Sequence, residues 1–132
     1  MVSVKLNRSV RWADADPAGR LYFARIFDYF SEAERELLRR TGFPDGGVDG
    51  YDFPRVHAEC DFRKVLPLYA PFTIHASVGK LGRSSIRYDF RVFAEDEPAE
   101  PAAVGSITVV VIQQGKPVEI PSSLRAALAA VE

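Results

Sequence analysis

Two aspartates separated by one residue, Asp14 and Asp16, open a short polar turn that continues through Pro17 and Gly19. The turn directly precedes a segment, beginning near Arg20, whose apolar residues recur at helical spacing. At a helix start the backbone N–H groups lack intrahelical acceptors, and the helix dipole is positive. A carboxylate held beside such donors can act as a base or nucleophile next to a group that stabilises an anion. The spacing therefore indicates a hydrolytic site, with the alternative that Asp16 only caps the turn.

The remaining residues of catalytic type indicate neither a metal centre nor a histidine or cysteine site. No His, Cys or third acid stands near Asp14 and Asp16 at ligand spacing, so no metal is expected, and Asp14 is interpreted as structural. His57 and His75 lie alone on separate predicted strands, and we expect them to face solvent or to be capped. Cys60 alternates with apolar residues and is expected to be a small core residue.

Composition limits the class of protein. A chain of 132 residues with 47% hydrophobic residues is expected to form a single domain over 1–132. A net charge of −1 argues against a nucleic-acid-binding or membrane-adsorbing surface. One cysteine cannot build a disulfide framework. No apolar run approaches the roughly 20 residues of a membrane span, and the N-terminus lacks a signal-peptide pattern, so the cytoplasm is the expected location.

Hydrophobic periodicity predicts one strand, then a long helix. Apolar residues at even positions predict a strand over about residues 3–12. Helical spacing predicts a core helix over residues 21–40, about 30 Å long. Gly42 is predicted to end it at the C′ position. Residues 43–54 are rich in Gly, Pro and Asp and are interpreted as a loop.

Four further strands and a short helix are predicted after that loop. The strands are expected over residues 56–62, 72–78, 86–92 and 104–112, the last apolar on both faces as in an interior strand. A closing helix is predicted over residues 122–131, with Ser122 or Ser123 as its N-cap. Runs of consecutive strands favour an antiparallel sheet with the helix packed on one face, an α+β fold.

Three segments together resemble the 4-hydroxybenzoyl-CoA thioesterase-like family of hotdog-fold enzymes over essentially the full length. They are residues 10–43, which contain the D-x-D-P-x-G turn and an aromatic helix, residues 55–93, and the closing PVEIPSSLRAAL. The resemblance implies a hotdog fold, in which a five-stranded antiparallel sheet wraps around a long central helix. It also implies a homodimer joining two sheets, with active sites at the subunit interface, or a homotetramer.

The resemblance implies an acyl-CoA thioesterase acting on an aromatic or short-to-medium acyl-CoA, including 4-hydroxybenzoyl-CoA or dihydroxynaphthoyl-CoA types. Asp16 is then the catalytic carboxylate, as nucleophile or general base, and the backbone N–H of Phe23, four residues after Gly19, polarises the thioester carbonyl. Gly19 is counted with these two as a residue of the catalytic site. Coenzyme A is part of the substrate, and no cofactor is implied. Members specialised for a hydroxylated benzoyl group can carry a second acid on the helix, where this chain has Ser31.

Other substrate contacts are candidates from residue type and position. The basic residues Lys64, Arg83 and Arg87 are candidates for binding the phosphates of coenzyme A. The aromatic residues Tyr22 and Phe27 are candidates for lining the acyl pocket, and Ser84, in a turn, is a candidate for a further substrate contact.

Two rival functions stay open. A hydratase or dehydratase of the same fold requires an Asp and a His in one cleft, whereas His57 and His75 do not lie near the Asp16 turn in the sequence. A non-catalytic acyl-CoA or acyl-carrier-protein binding module would tolerate loss of the carboxylate and bind without turnover.

Overall fold

A five-stranded antiparallel sheet and one main helix make up the computed structural model, which describes residues 1–43 and 48–130. The sheet order is β1-β3-β4-β5-β2, and each neighbouring pair is antiparallel. In chain order the sheet strands are β1 (Ser3–Ser9), β2 (Arg55–Phe62), β3 (Pro71–Leu81), β4 (Ser85–Ala94) and β5 (Ala103–Val110). The main helix is α1 (Ile26–Arg40); a hairpin, β6 (Ile112–Gln113) and β7 (Lys116–Pro117), and a helix, α2 (Ser122–Ala129), follow the sheet. The predicted antiparallel sheet is confirmed.

The core lies between α1 and one face of the sheet. Alternate residues of β3 and β4 are buried, as a strand with one covered face requires. From α1, Phe30 stacks on Phe90 of β4, with ring centroids 4.4 Å apart and an interplanar angle of 5°. Gly105 of β5 makes room for this pair, because a Cβ there would lie 2.7 Å from the Phe30 ring. The interior position predicted for β5 is confirmed.

Helix α1 ends where the sequence predicts and begins later. Gly42 has φ +91°, and the N–H groups of Gly42 and Phe43 donate to Arg39 O and Leu38 O, which is a Schellman ending. The predicted start at residue 21 is wrong, because a 3₁₀ turn over Phe23–Arg25 precedes the 15-residue helix. Helix α1 is therefore about 22 Å long.

Smaller differences have local causes. Strand β1 stops at Ser9, and the chain then turns through a 3₁₀ segment at Trp12–Asp14. The β6–β7 hairpin was not predicted; its turn holds Gln114 and Gly115 at φ 51° and 78°. Ser122 is the first residue of α2 and Pro121 is its N-cap, so the predicted serine cap is wrong. The predicted helix end at Val131 and loop residues 44–47 lie outside the described residues.

The apolar face of β2 is largely uncovered. Val56 is 59% exposed and Phe62 is 47% exposed, Ala58 is also exposed, and Cys60 is half-buried against the core. The core position expected for Cys60 is thus partly realised, and burial raises the pKa of its thiol to about 11, with a smaller contribution from Asp61. This strand is a sheet edge in the single chain. In the described part of the chain, no helix is long and apolar enough to span a membrane.

Candidate active site at the Asp16 turn

The turn that carries Asp16 is closed by hydrogen bonds at both ends. Asp16 N–H donates to Arg20 O at 2.7 Å, and Gly19 N–H donates to Asp16 O at 2.9 Å. The Asp16 Oδ1 atom accepts the N–H groups of Ala18 at 2.9 Å and Arg20 at 3.4 Å. Its Oδ2 atom has no hydrogen-bond partner among residues 1–43 and 48–130. Asp16 therefore caps the turn with one oxygen and leaves the other available for chemistry.

The N–H group of Phe23 is left unpaired by the way the chain enters α1. Leu21 N–H donates to Leu66 O at 2.9 Å, and Tyr22 N–H donates to Asp14 O at 2.8 Å. Leu21 forms an antiparallel bridge with Ala15, and Tyr22 has an extended backbone (φ −66°, ψ 124°), so the helix begins after residue 22. Phe23 is the first residue of the 3₁₀ turn, and its N–H has no acceptor in the described ranges. It is an N–H donor at the positive end of a helical segment.

Asp16 and Phe23 line one cavity, which we call the inner cavity. Its volume is about 320 Å³, and its other lining residues are Arg20, Leu21, Phe62, Arg63, Lys64, Val65, Leu66 and Ala103. Of the predicted substrate contacts, only Lys64 lies here, with its Nζ 3.0 Å from Glu97. Arg20 and Arg63 were not predicted, because their roles depend on the segment before β3 folding back beside the turn. An apolar cavity with three cations around it suits an anionic ligand with an apolar part.

Four other predicted site residues, Gly19, Tyr22, Phe27 and Ser31, do not line the inner cavity. Gly19, with φ +78°, borders a second groove that also reaches Asp16. Tyr22 packs edge-on against the Phe23 ring, with centroids 5.0 Å apart. Phe27 packs edge-on against Phe30 at 5.7 Å, and Ser31 is half-buried on α1.

The predicted residues Arg83, Ser84 and Arg87 lie at the far end of the sheet. Strand β4 begins opposite Val110, the last residue of β5, whereas Ala103 at the inner cavity is the first. Seven strand steps separate these ends by about 23 Å. Arg83 pairs with Glu119 at 3.3 Å, Arg87 pairs with Asp89 at 2.9 Å, and Ser84 O accepts the Val111 N–H. The single chain does not bring these residues to its own inner cavity.

A buried network fixes the first aspartate of the turn. Asp14 is 7% exposed, and its Oδ2 accepts the Tyr29 hydroxyl at 2.7 Å and Arg11 Nε at 2.8 Å. Arg11 also lies over the Tyr29 ring, 4.3 Å from its centroid, and donates to Glu32 at 2.6 Å. Burial alone would raise the pKa of Asp14, but the hydrogen bonds from Tyr29 and Arg11 hold it below its ordinary value. Since Asp14 O also accepts Tyr22 N–H, this network ties the turn to α1, in the structural role predicted for Asp14.

The two histidines lie away from the turn. His57 is exposed on β2, with Nε2 3.6 Å from Glu59, and His75 on β3 packs against Phe93 with ring centroids 4.7 Å apart. Burial, together with Lys5 and Arg91, lowers the pKa of His75. Within the described ranges no group of three or more His, Cys, Asp or Glu side chains is arranged to hold a metal.

The family is decided by a match over most of the chain. The family model of the thioesterase-like superfamily matches residues 10–128. The chain belongs to the thioesterase-like superfamily. That assignment confirms the resemblance drawn from the sequence.

This thioesterase-like protein aligns with several relatives over most of their length and most of its own. It is 29% identical over 108 residues to the 1,4-dihydroxy-2-naphthoyl-CoA hydrolase of Synechococcus elongatus, covering 77% of this chain and 78% of that one. A hypothetical protein from Aquifex aeolicus has a similar crystal structure (TM-score 0.86, 28% identity, 95% of this chain and 98% of that one). A gentisyl-coenzyme A thioesterase structure gives a TM-score of 0.83 at 25% identity, covering 96% of this chain and 100% of that one. The hotdog fold expected from the sequence is confirmed.

Proposed function

We propose that this chain hydrolyses the thioester of an aromatic or short-to-medium acyl-CoA at the inner cavity. The observation that carries the proposal is that Asp16 and Phe23 line one cavity, and that each has a polar group, a carboxylate oxygen and an N–H, without a partner in the described chain. Two relatives are named for aromatic acyl-CoA substrates, 1,4-dihydroxy-2-naphthoyl-CoA and gentisyl-CoA, which supports the aromatic class.

The chemistry requires few groups. The Asp16 carboxylate either attacks the thioester carbonyl, giving a mixed anhydride that water then cleaves, or removes a proton from an attacking water. In both routes the Phe23 N–H donates to the oxyanion that forms on the carbonyl oxygen. The leaving thiolate is a weak base, since a thiol has an ordinary pKa of about 8.5, so no strong general acid is needed. Arg20, Arg63 and Lys64 attract the phosphates of coenzyme A.

We also propose that the working unit is at least a dimer that pairs two β2 strands. At the other sheet edge, Val4 of β1 and Val2 just before that strand are buried, whereas the apolar face of β2 is exposed. An uncovered edge strand with an apolar face favours pairing with another strand. A second copy related by a two-fold axis would extend the sheet antiparallel and cover Val56, Ala58 and Phe62.

The dimer accounts for the basic residues at the far end of the sheet. The inner cavity touches Phe62 at the end of β2, and an antiparallel partner strand brings the beginning of its own β2 to that point. The end of the partner sheet that carries Arg83, Ser84 and Arg87 then approaches this cavity. These residues are proposed to contact the substrate bound beside the other copy.

Release of free thiol from a panel of acyl-CoA thioesters tests the function. We expect turnover of benzoyl-CoA or of a short-to-medium acyl-CoA. Saturable binding without thiol release would favour the non-catalytic binding module instead. Hydration of an enoyl-CoA without thiol release would favour the hydratase. The cytoplasmic location stays a prediction for cell fractionation.

Matched edge-strand variants test the dimer. Ala58→Arg places a charge on the exposed apolar face of β2, and Ser3→Arg places one on the exposed face of β1. We expect Ala58→Arg to sediment as a monomer and to lose turnover. Ser3→Arg is expected to sediment as a dimer or larger and to keep the turnover of the parent. A parent that sediments as a monomer and remains active would contradict the proposed dimer and leave the thioesterase proposal standing.

A further inference from the structure

The chain's single tryptophan is exposed beside the Asp16 turn. Trp12 is 74% exposed, and Tyr69, on the adjoining segment, is 64% exposed. Tyr69 has φ +64°, a conformation that costs energy for a bulky side chain, and its N–H donates to Val10 O at 2.9 Å. Two large aromatic side chains are therefore presented to solvent on a fixed backbone, and strained residues of this kind concentrate at functional sites.

A groove of about 410 Å³ runs beside Trp12 and reaches Asp16; we call it the outer groove. Its lining residues are Trp12, Ala13, Ala15, Asp16, Pro17, Gly19 and Leu68. Asp16 is the one residue that lines both the outer groove and the inner cavity. The volume lies within the range of small-molecule sites. The outer groove therefore shares with the inner cavity the residue that carries the proposed catalytic carboxylate.

The two spaces differ in charge. The inner cavity has Arg20, Arg63 and Lys64 in its lining, whereas Asp16 is the only ionisable residue that lines the outer groove. A coenzyme A thioester has the same asymmetry, with a polyanionic nucleotide on one side of the reacting carbonyl and an uncharged acyl group on the other. Cations attract the phosphates, and an apolar aromatic surface suits the acyl group.

We propose that the outer groove is the subsite for the acyl group, in which an aromatic acyl ring stacks on the indole of Trp12. This assignment rests on the proposed thioesterase function and adds the location and the aromatic preference of the acyl site. Gly19 borders the groove without a side chain, which leaves space between the indole and the turn.

Tryptophan fluorescence reports on this groove directly, because Trp12 is the only tryptophan. Asp16→Asn protein is titrated with benzoyl-CoA, acetyl-CoA and free coenzyme A, with free N-acetyltryptophanamide as the inner-filter control. We expect a saturable change with benzoyl-CoA and a much smaller one with coenzyme A at equal occupancy measured by calorimetry. An equal change with coenzyme A would place the nucleotide arm in the groove and overturn the proposal. No change despite calorimetric binding of benzoyl-CoA, or no binding at all, would overturn it as well.

Kinetics provide a second readout that does not depend on fluorescence. Trp12→Ala is expected to lower kcat/KM for benzoyl-CoA by about three- to tenfold, the range of an aromatic contact. Acetyl-CoA, which lacks a ring, is expected to change less than about twofold, and Trp12→Phe should restore most of the loss. Equal losses for both substrates would contradict the subsite but not the thioesterase proposal, which fails only if the parent releases no thiol from any thioester.

Discussion

Replacing Tyr29 with Phe removes one oxygen atom from the network that holds the turn on α1. The Tyr29 side chain is fully buried, and its hydroxyl donates to Asp14 Oδ2 at 2.7 Å and accepts the Arg11 N–H at 3.1 Å. Tyr29→Phe leaves the Arg11 N–H without that acceptor, while Asp14 keeps its bond from Arg11 Nε. A hydrogen bond to a charged group contributes about 1.5–3 kcal/mol. Because one of the two bonds to Asp14 survives, we expect a loss of about 2 kcal/mol.

Thermal unfolding measures this loss. For a chain of 132 residues, unfolding entropy near Tm is about 0.28 kcal/mol per kelvin, so 2 kcal/mol lowers Tm by about 7 °C. Parent and variant are compared at equal protein concentration, because subunit association also shifts Tm. Tyr69→Phe, which removes an exposed hydroxyl, is the matched control and should change stability by less than about 0.5 kcal/mol. A Tyr29→Phe protein as stable as this control would refute the role assigned to the network.

Four further outcomes follow from the same contacts. The folded-state pKa of Asp14 lies below its ordinary value of 3.8, so its charge stabilises the fold above about pH 4. This contribution is lost as the pH falls through the lower pKa of the folded state. The Tm deficit of Asp14→Asn relative to the parent should therefore be larger at pH 7 than at pH 3, and an equal deficit at both would contradict this. Gly105→Ala places a Cβ 2.5 Å from Glu59 O and should lower the free energy of unfolding, measured by chemical denaturation, by about 3 kcal/mol. Unfolding at the same denaturant concentration as the parent would contradict the close packing at this position. With a pKa of about 11, Cys60 is about one part in a thousand thiolate at pH 8, so native protein should react slowly with a thiol reagent and denatured protein quickly; equal rates would contradict its burial. Arg63→Ala should raise KM for acyl-CoA about fivefold with kcat little changed, and should not affect an N-acetylcysteamine thioester that lacks the phosphates; Arg91→Ala, on the outer sheet face, is the control.

The elements could be predicted from the sequence because their periodicity is local. Alternation along β3 and β4 and helical spacing through α1 each record which face is buried, and Gly42 marks a helix end that depends only on its neighbours. The start of α1 could not be placed, because Leu21 is held in a bridge with Ala15 and donates its N–H to Leu66 O. That pairing is a tertiary event with no sequence period.

The site was predictable as a turn and only partly as a cavity. Asp16 and Phe23 are seven residues apart and line the same cavity because of the local chain path, so the sequence motif was enough to predict both. Arg63 comes from a segment more than forty residues away in the sequence. The role of Tyr29 was not predicted, although a buried tyrosine hydroxyl usually has a polar partner, a signal that could have pointed to Asp14. Alternation along β2 suggested burial that a single chain does not provide.

Turnover by Asp16→Asn tests the central assignment most directly. The variant keeps a side-chain oxygen that can cap the turn and removes the ionised oxygen proposed to attack the thioester or to activate water. We predict at least about a hundredfold lower kcat on the best acyl-CoA of the panel, with the calorimetric Kd little changed. Asp28→Asn, an exposed carboxylate on α1, should match the parent. Parent-like kcat in Asp16→Asn would contradict the account.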